Sequence, residues 1–288
     1  MMKMIKPVVN ISKIIEPYNT VIIGLNGVLT EGEGVKSEAV DALVRLKKNG
    51  KSVILLSNTA QRVSTLVKWL HENKVPLAVF DAIVTAGEIL HYKFKSRQGD
   101  YAALGMNYYC LGDCREMGMF ANLDYQRVED LSRADFIYVS EICSGKTMDD
   151  FLPSLEYAAG MGIPLVCAGN DTSTYYNGEV GLAPGAIAEQ YAVLGGRILT
   201  VGKPDAKIIA YALDGIPEVK KDSVIMIGDS IATDIKGANL LDVAAILISK
   251  GIHVNFLGEG YIPDVAKTRE LATNFDAYPD YVISGLRW

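Results

Sequence analysis

Four short segments of the chain carry residue types suited to phosphate or metal chemistry. In Gly228-Asp229-Ser230-Ile231-Ala232-Thr233-Asp234 two aspartates sit on a glycine-led turn into a helix. Carboxylates placed this way can bind Mg²⁺ through their oxygens. Gly202-Lys203-Pro204-Asp205 offers a cation that can balance a phosphate, and Ser57-Asn58-Thr59 offers a hydroxyl beside backbone amides that can donate to phosphate oxygens. Gly24-Leu25-Asn26-Gly27-Val28-Leu29-Thr30 is a loop with no carboxylate until Glu31 and Glu33. Taken singly, each segment has a plainer use: Ser57 and Asp229 as N-caps, Lys203 as an exposed helix-end charge. The chemistry becomes specific only if one scaffold gathers all four.

Short apolar runs alternate with segments of helical period along the chain, the pattern of a parallel α/β sheet. The spacing predicts strands at 20–25, 52–57, 82–85, 198–201, 224–227, 244–248 and 281–283, and four of them end at the segments just described. The near-continuous apolar run 52–57 is what helices covering both faces of a sheet demand. Val63, Leu66, Val67 and Leu70 fall at i, i+3, i+4 and i+7, so 62–72 is an amphipathic helix. Helices are also expected at 36–49, 205–213 and 235–240. Residues 90–197 form a second α/β stretch with strands at 108–111, 136–139 and 164–167 and a helix at 186–194. Two α/β modules, the second inserted in the first, are the economical reading. In open parallel sheets ligands bind at the carboxyl ends of the strands, where the four segments lie.

Composition narrows the function classes. The 288 residues carry 28 Lys+Arg against 34 Asp+Glu, a net charge of −6, which argues against broad electrostatic binding to nucleic acid or anionic membrane. No apolar run reaches the roughly 18 residues of a membrane span. The N-terminus, with Lys3, Lys6 and Lys13 among short apolar pieces, has no signal-peptide block. Cys110, Cys114, Cys143 and Cys167 are too few for a disulfide scaffold, and the 110/114 spacing is not CxxC, so reduced cysteines and a cytoplasmic location are expected. His71, His91 and His253 are too scattered for a histidine metal site or triad.

The conjunction of Ser57-Asn58, Gly202-Lys203-Pro204, the segment from Gly228 to Ala238 and the closing Pro279-Asp280-Tyr281-Val282-Ile283 resembles the haloacid dehalogenase (HAD) superfamily of phosphotransfer enzymes, in its NagD-like class IIA branch. That resemblance implies a Rossmann-like parallel-sheet core from residues 1–89 and 198–288, and an inserted α/β cap at 90–197, within which Asn170-Asp171 and Pro184-Gly185-Ala186 fit the branch. It further implies phosphate binding by Ser57, Asn58 and Lys203. Mg²⁺ would be held by Asp229 and Asp234 with the backbone carbonyl of Asn26.

The first motif departs from the family, which begins Asp-x-Asp-Gly-Val. The first Asp is the phosphate-attacking nucleophile and the second a general acid/base. Aligned on Gly27-Val28, the nucleophile's place holds Gly24 and the acid's place Asn26. Glycine has no side chain to attack with, and asparagine cannot shuttle a proton. General acid–base assistance is worth roughly 10²–10⁴ in rate, and a nucleophile on the order of 10⁶. The expected protein is therefore a catalytically impaired member that binds a small phosphorylated metabolite, with metal binding weakened. A Mg²⁺-dependent phosphomonoester hydrolase working by a substitute mechanism, and a non-catalytic partner-binding protein, remain the alternatives.

Overall fold

The computed structural model describes residues 4–32, 34–114, 118–143, 145–176, 179–216 and 219–288. Seven parallel strands form the larger sheet, in the order Lys6–Pro7, Tyr281–Ile283, Ala244–Ile248, Val224–Gly228, Thr20–Gly24, Ser52–Ser57 and Ala82–Thr85. Its central strands are buried along their whole length, because helices cover both faces. The period of two sorts their side chains cleanly. Val21, Ile23, Val53, Leu55, Ile225 and Ile227 join one apolar cluster, and Ile22, Ile54, Leu56, Val224 and Met226 the opposite one.

A second parallel sheet runs Ile198–Val201, Leu165–Ala168, Phe136–Val139, Asn107–Leu111 and Gln126–Val128. Ile137, Val139, Leu165 and Cys167 turn one of its faces to Ile187 and Tyr191 of the helix Pro184–Val193. Phe136, Tyr138 and Val166 turn the other to Phe94 of the helix Ala86–Ser96, within a cluster continuous with the first sheet. The two sheets thus share an apolar core through that helix.

Ile198–Val201 was expected to resume the larger sheet, with the chain returning to the core at 198. It pairs instead with Leu165–Ala168, Leu165 opposite Ile198 and Ala168 opposite Val201, so the second sheet extends to Val201. The run Ile198-Leu199-Thr200-Val201 satisfies a strand in either sheet; only pairing partners distinguish them. Periodicity also gave no notice of the antiparallel hairpin Ser173–Tyr176 with Glu179–Leu182, or of the helix Val265–Phe275. Among the described residues no helix is long and apolar enough to cross a membrane.

Candidate functional site

Lys203 follows the last strand of the smaller sheet, yet it reaches into the carboxyl edge of the larger one. The residue is 5% exposed, and its ammonium lies 2.6 Å from Asp234 Oδ1 and donates to the Leu56 carbonyl at 3.3 Å. Asn58 holds the loop there: Lys203 N–H donates to Asn58 Oδ1 at 2.7 Å, and Asn58 Nδ2 donates to the Lys203 carbonyl at 3.1 Å. Asn170, after the strand Leu165–Ala168, adds bonds from Nδ2 to the carbonyls of Gly202 and Lys203 at 3.2 and 3.1 Å. Both amides are thus committed to positioning Lys203. Asn58 also bonds Asp171, so the residue expected to touch phosphate links the lysine loop to that carboxylate. Ser57, also buried, accepts from Thr59 N–H at 3.2 Å, an N-cap-like bond that leaves its own hydroxyl proton to direct elsewhere.

Asp229 and Asp234 follow the central strand Val224–Gly228. Asp234 Oδ2 accepts from Ser230 N–H at 3.1 Å, and Asp229 Oδ2 accepts from Ile252 N–H at 2.9 Å. Asp171, reaching over from the smaller sheet, accepts from Thr233 Oγ1 at 2.7 Å. Three carboxylates around one ammonium leave excess negative charge in a place with little water. Burial, then repulsion from Asp234, pushes Asp229 up to about 7. Asp171 is raised by burial, against the pull of Lys203. Burial alone would lower the Lys203 ammonium, but Asp234 and Asp171 raise it overall. His253 closes the cluster: its Nε2 accepts from Ile231 N–H at 3.1 Å, and burial depresses it to about 4, so it is neutral.

The first-motif loop runs beside these groups. A Cβ built on Gly24 would lie 3.5 Å from Asp234 Oδ1, Ile227 O and Val28 Cγ2, which is ordinary contact distance, and the backbone there is not left-handed. Position 24 therefore faces the Asp234–Lys203 pair with room for a side chain. Asn26 is exposed and accepts from Thr30 Oγ1 at 3.3 Å. Glu31 points outward to Lys36 at 3.6 Å, with a largely exposed side chain, so it replaces neither missing aspartate. Glu33 lies outside the described residues.

The donor set does not fit a firmly held divalent cation. Among the described residues no group of three or more His, Cys, Asp or Glu is arranged to hold a metal. Asp234 already serves Lys203 and Ser230, and Asp229 serves Ile252. Asp171, Thr233, Asn170 and His253 are members of the cluster that the residue pattern did not single out as site residues. Asn170 and Asp171 carried a signal, since that stretch fits the family branch; His253, between strands, carried none.

A lysine, aspartates and a serine gather at the carboxyl edge of a parallel sheet beside a second α/β unit, so the fold is a parallel α/β one with a charged strand-end site. The chain belongs to the haloacid dehalogenase-like hydrolase family, whose model matches residues 18–242; a second, HAD-hydrolase-like model matches 200–287. Among solved structures, a haloacid dehalogenase-like hydrolase from Brucella suis superposes with TM-score 0.80 at 25% identity, over 96% of this chain and 98% of that one. A 4-nitrophenylphosphatase from Thermotoga maritima superposes with TM-score 0.66 at 19% identity, over 94% and 95%. A glycerol phosphate phosphatase from Mycobacterium tuberculosis, solved in complex with magnesium, reaches 0.59 at 16%, over 82% and 69%. The NagD-like branch is represented among these neighbours as well. Curated proteins yielded no match.

Proposed function

We propose that this chain is a HAD-type protein that binds a small phosphorylated metabolite at the edge shared by its two sheets and has lost covalent phosphoryl transfer. The observation that carries this reading is the pair formed by Gly24 and Lys203. The position that would present the nucleophile holds no side chain, although a Cβ there would lie 3.5 Å from Asp234 Oδ1, while the lysine that would serve both nucleophile and phosphate is ion-paired to Asp234 at 2.6 Å. Two of the three ammonium N–H bonds are used, on Asp234 and Leu56, which leaves one for a ligand oxygen. Ser57 supplies a second donor. Residues 90–201 act as the cap over this edge, and the free thiols suit a cytoplasmic protein. A divalent cation would have only Asp229 and Asp234 as side-chain ligands, so no step is routed through one.

The test is turnover of a generic aryl phosphate with Mg²⁺ and with EDTA. The unaltered chain is expected to show none above background, and to bind a phosphomonoester in calorimetry. The double variant Gly24→Asp/Asn26→Asp is expected to create Mg²⁺-dependent turnover, since Asp at 24 adds a nucleophile and a third carboxylate, and Asp at 26 a proton donor. Gly24→Asp alone should raise metal affinity more than turnover. Ordinary enzyme rates in the unaltered chain, on the order of 1–10³ s⁻¹, would overturn the reading.

A further inference from the structure

Away from that edge the smaller sheet carries two thiols in one place. Cys110 lies on the strand Asn107–Leu111, and the chain doubles back directly after it, through Gly112 at φ 106° and Cys114 at φ 54°. The turn is pinned to the neighbouring strand end: Cys114 N–H donates to Ser140 Oγ at 2.9 Å, and Asp113 N–H to the Glu141 carbonyl at 2.7 Å. Cys114 is thereby folded over its own strand; its thiol donates to the Gly112 carbonyl at 3.3 Å, and the Cys110 thiol lies close enough to donate to the Cys114 sulfur when that sulfur ionises. Both line one shallow pocket with Tyr108, Tyr138 and Arg127, and both are partly exposed, whereas Cys167 is fully buried. Arg127 also donates to the Cys114 carbonyl at 3.4 Å, which keeps its charge beside the pair.

We propose that Cys110 and Cys114 are a redox-active dithiol, with Cys114 the attacking thiolate and Cys110 the resolving thiol, oxidised to a disulfide by a peroxide. The electrostatics agree with this division of roles. The hydrogen bond from Cys110 brings Cys114 down to about 7; burial opposes this, Arg127 and Ser140 assist it, and Asp113 opposes it. The same bond, with burial, pushes the Cys110 thiol upward. The Cys114 thiolate attacks one oxygen of the peroxide; an S–O bond forms, the O–O bond breaks, and the departing hydroxide takes a proton to leave as water. Cys110 sulfur then attacks Cys114 sulfur of the resulting sulfenic acid. The S–S bond forms, the S–O bond breaks, and the hydroxide leaves with the Cys110 proton as a second water. Two electrons pass from the two thiols to the peroxide. A cytosolic disulfide of this kind is of the transient, redox-sensing type rather than a structural one.

The test uses the full reduced chain, exposed to hydrogen peroxide, then denatured, alkylated and weighed. The expected product is lighter by two hydrogens before alkylation and retains two of the four alkylatable thiols, with Cys110 and Cys114 linked in the peptide map. In the native reduced chain the rate of Cys114 alkylation by iodoacetamide should rise with a midpoint near 7. In Cys110→Ala, which removes the donor, that midpoint should move up toward the ordinary thiol value of about 8.5. Four alkylatable thiols after peroxide, a link from either cysteine to Cys143, or oxygen added to Cys114 while Cys110 stays a free thiol would each overturn the proposal. So would a midpoint that does not move in Cys110→Ala.

Discussion

Two loops leave adjacent strands of the larger sheet at the same edge: 24–30 after Thr20–Gly24, and 228–234 after Val224–Gly228, strands paired with Ile23 opposite Ile227. In the second loop every polar side chain of the motif has a hydrogen-bond partner. Asp234 is bonded to Lys203 and Ser230, Asp229 to Ile252, and Ser230 Oγ to Thr233 N–H. The first loop keeps its backbone but not its carboxylates. The two nonetheless interlock, because Gly27 sits at φ +73° and a Cβ there would fall 1.8 Å from Asp229 Oδ2. Gly24, three residues earlier, has ordinary contacts only. Backbone shape at this edge is dictated by packing against Asp229, whereas the side chain at 24 is constrained by chemistry alone and can be lost without disturbing the fold.

The harshest way to break this comparison is to remove the cation that both loops surround. Lys203→Met should cost about 3–5 kcal/mol in urea unfolding, since it leaves Asp234 buried without its partner. Adding Asp234→Asn to that variant should recover part of the loss. An unfolding midpoint unchanged in Lys203→Met would mean that the pair contributes nothing to folding.

The pH dependence of stability separates Asp229 from His253. Asp229 is raised from 3.8 to about 7 in the folded chain, so between these values the folded state holds the extra proton. Stability from this group is then full below about 4 and falls by about 4 kcal/mol as pH climbs to 7. His253 is lowered from 6.5 to about 4, so here the unfolded chain holds the extra proton, and stability falls by about 3 kcal/mol as pH drops through that window. The two slopes oppose each other in the native protein. Asp229→Asn should make stability rise more steeply from pH 4 to 6.5, and His253→Gln should make it fall; denaturant titrations at four pH values decide between these signs and no change.

Smaller effects sharpen the contrast between the glycines. Gly27→Ala combines left-handed backbone with a clash against Asp229 and should destabilise by about 3 kcal/mol. Gly24→Ala should stay within about 1 kcal/mol of the unaltered chain in the same melts. Comparable losses for both would show that position 24 is as tightly constrained as 27. Between these two, Thr233→Val removes the hydroxyl bond to Asp171 that ties the two sheets together and should cost about 1–2 kcal/mol.

Much of the fold was legible in the sequence. The strands Ser52–Ser57, Ala82–Thr85, Phe136–Val139, Ala244–Ile248 and Tyr281–Ile283 lie where their apolar runs place them, because a strand covered on both faces leaves a continuous apolar signature. The four strand-end segments were legible as well, since glycine, lysine and paired aspartates at such ends have few purely structural reasons to occur together. The chain alone also determined that residues 24 and 26 carry no carboxylate. Tertiary structure decided the rest. Only strand pairing assigns Ile198–Val201 to the smaller sheet, for its residues suit both. Packing across 145 positions of sequence turned Asn58 into the clamp on Lys203. The fold likewise brought Asp171 and His253 to Asp229 and Asp234, and so shifted the proton affinities of Asp171, Asp229 and His253. Those depend on distance and burial in three dimensions, and a linear pattern of residues contains neither.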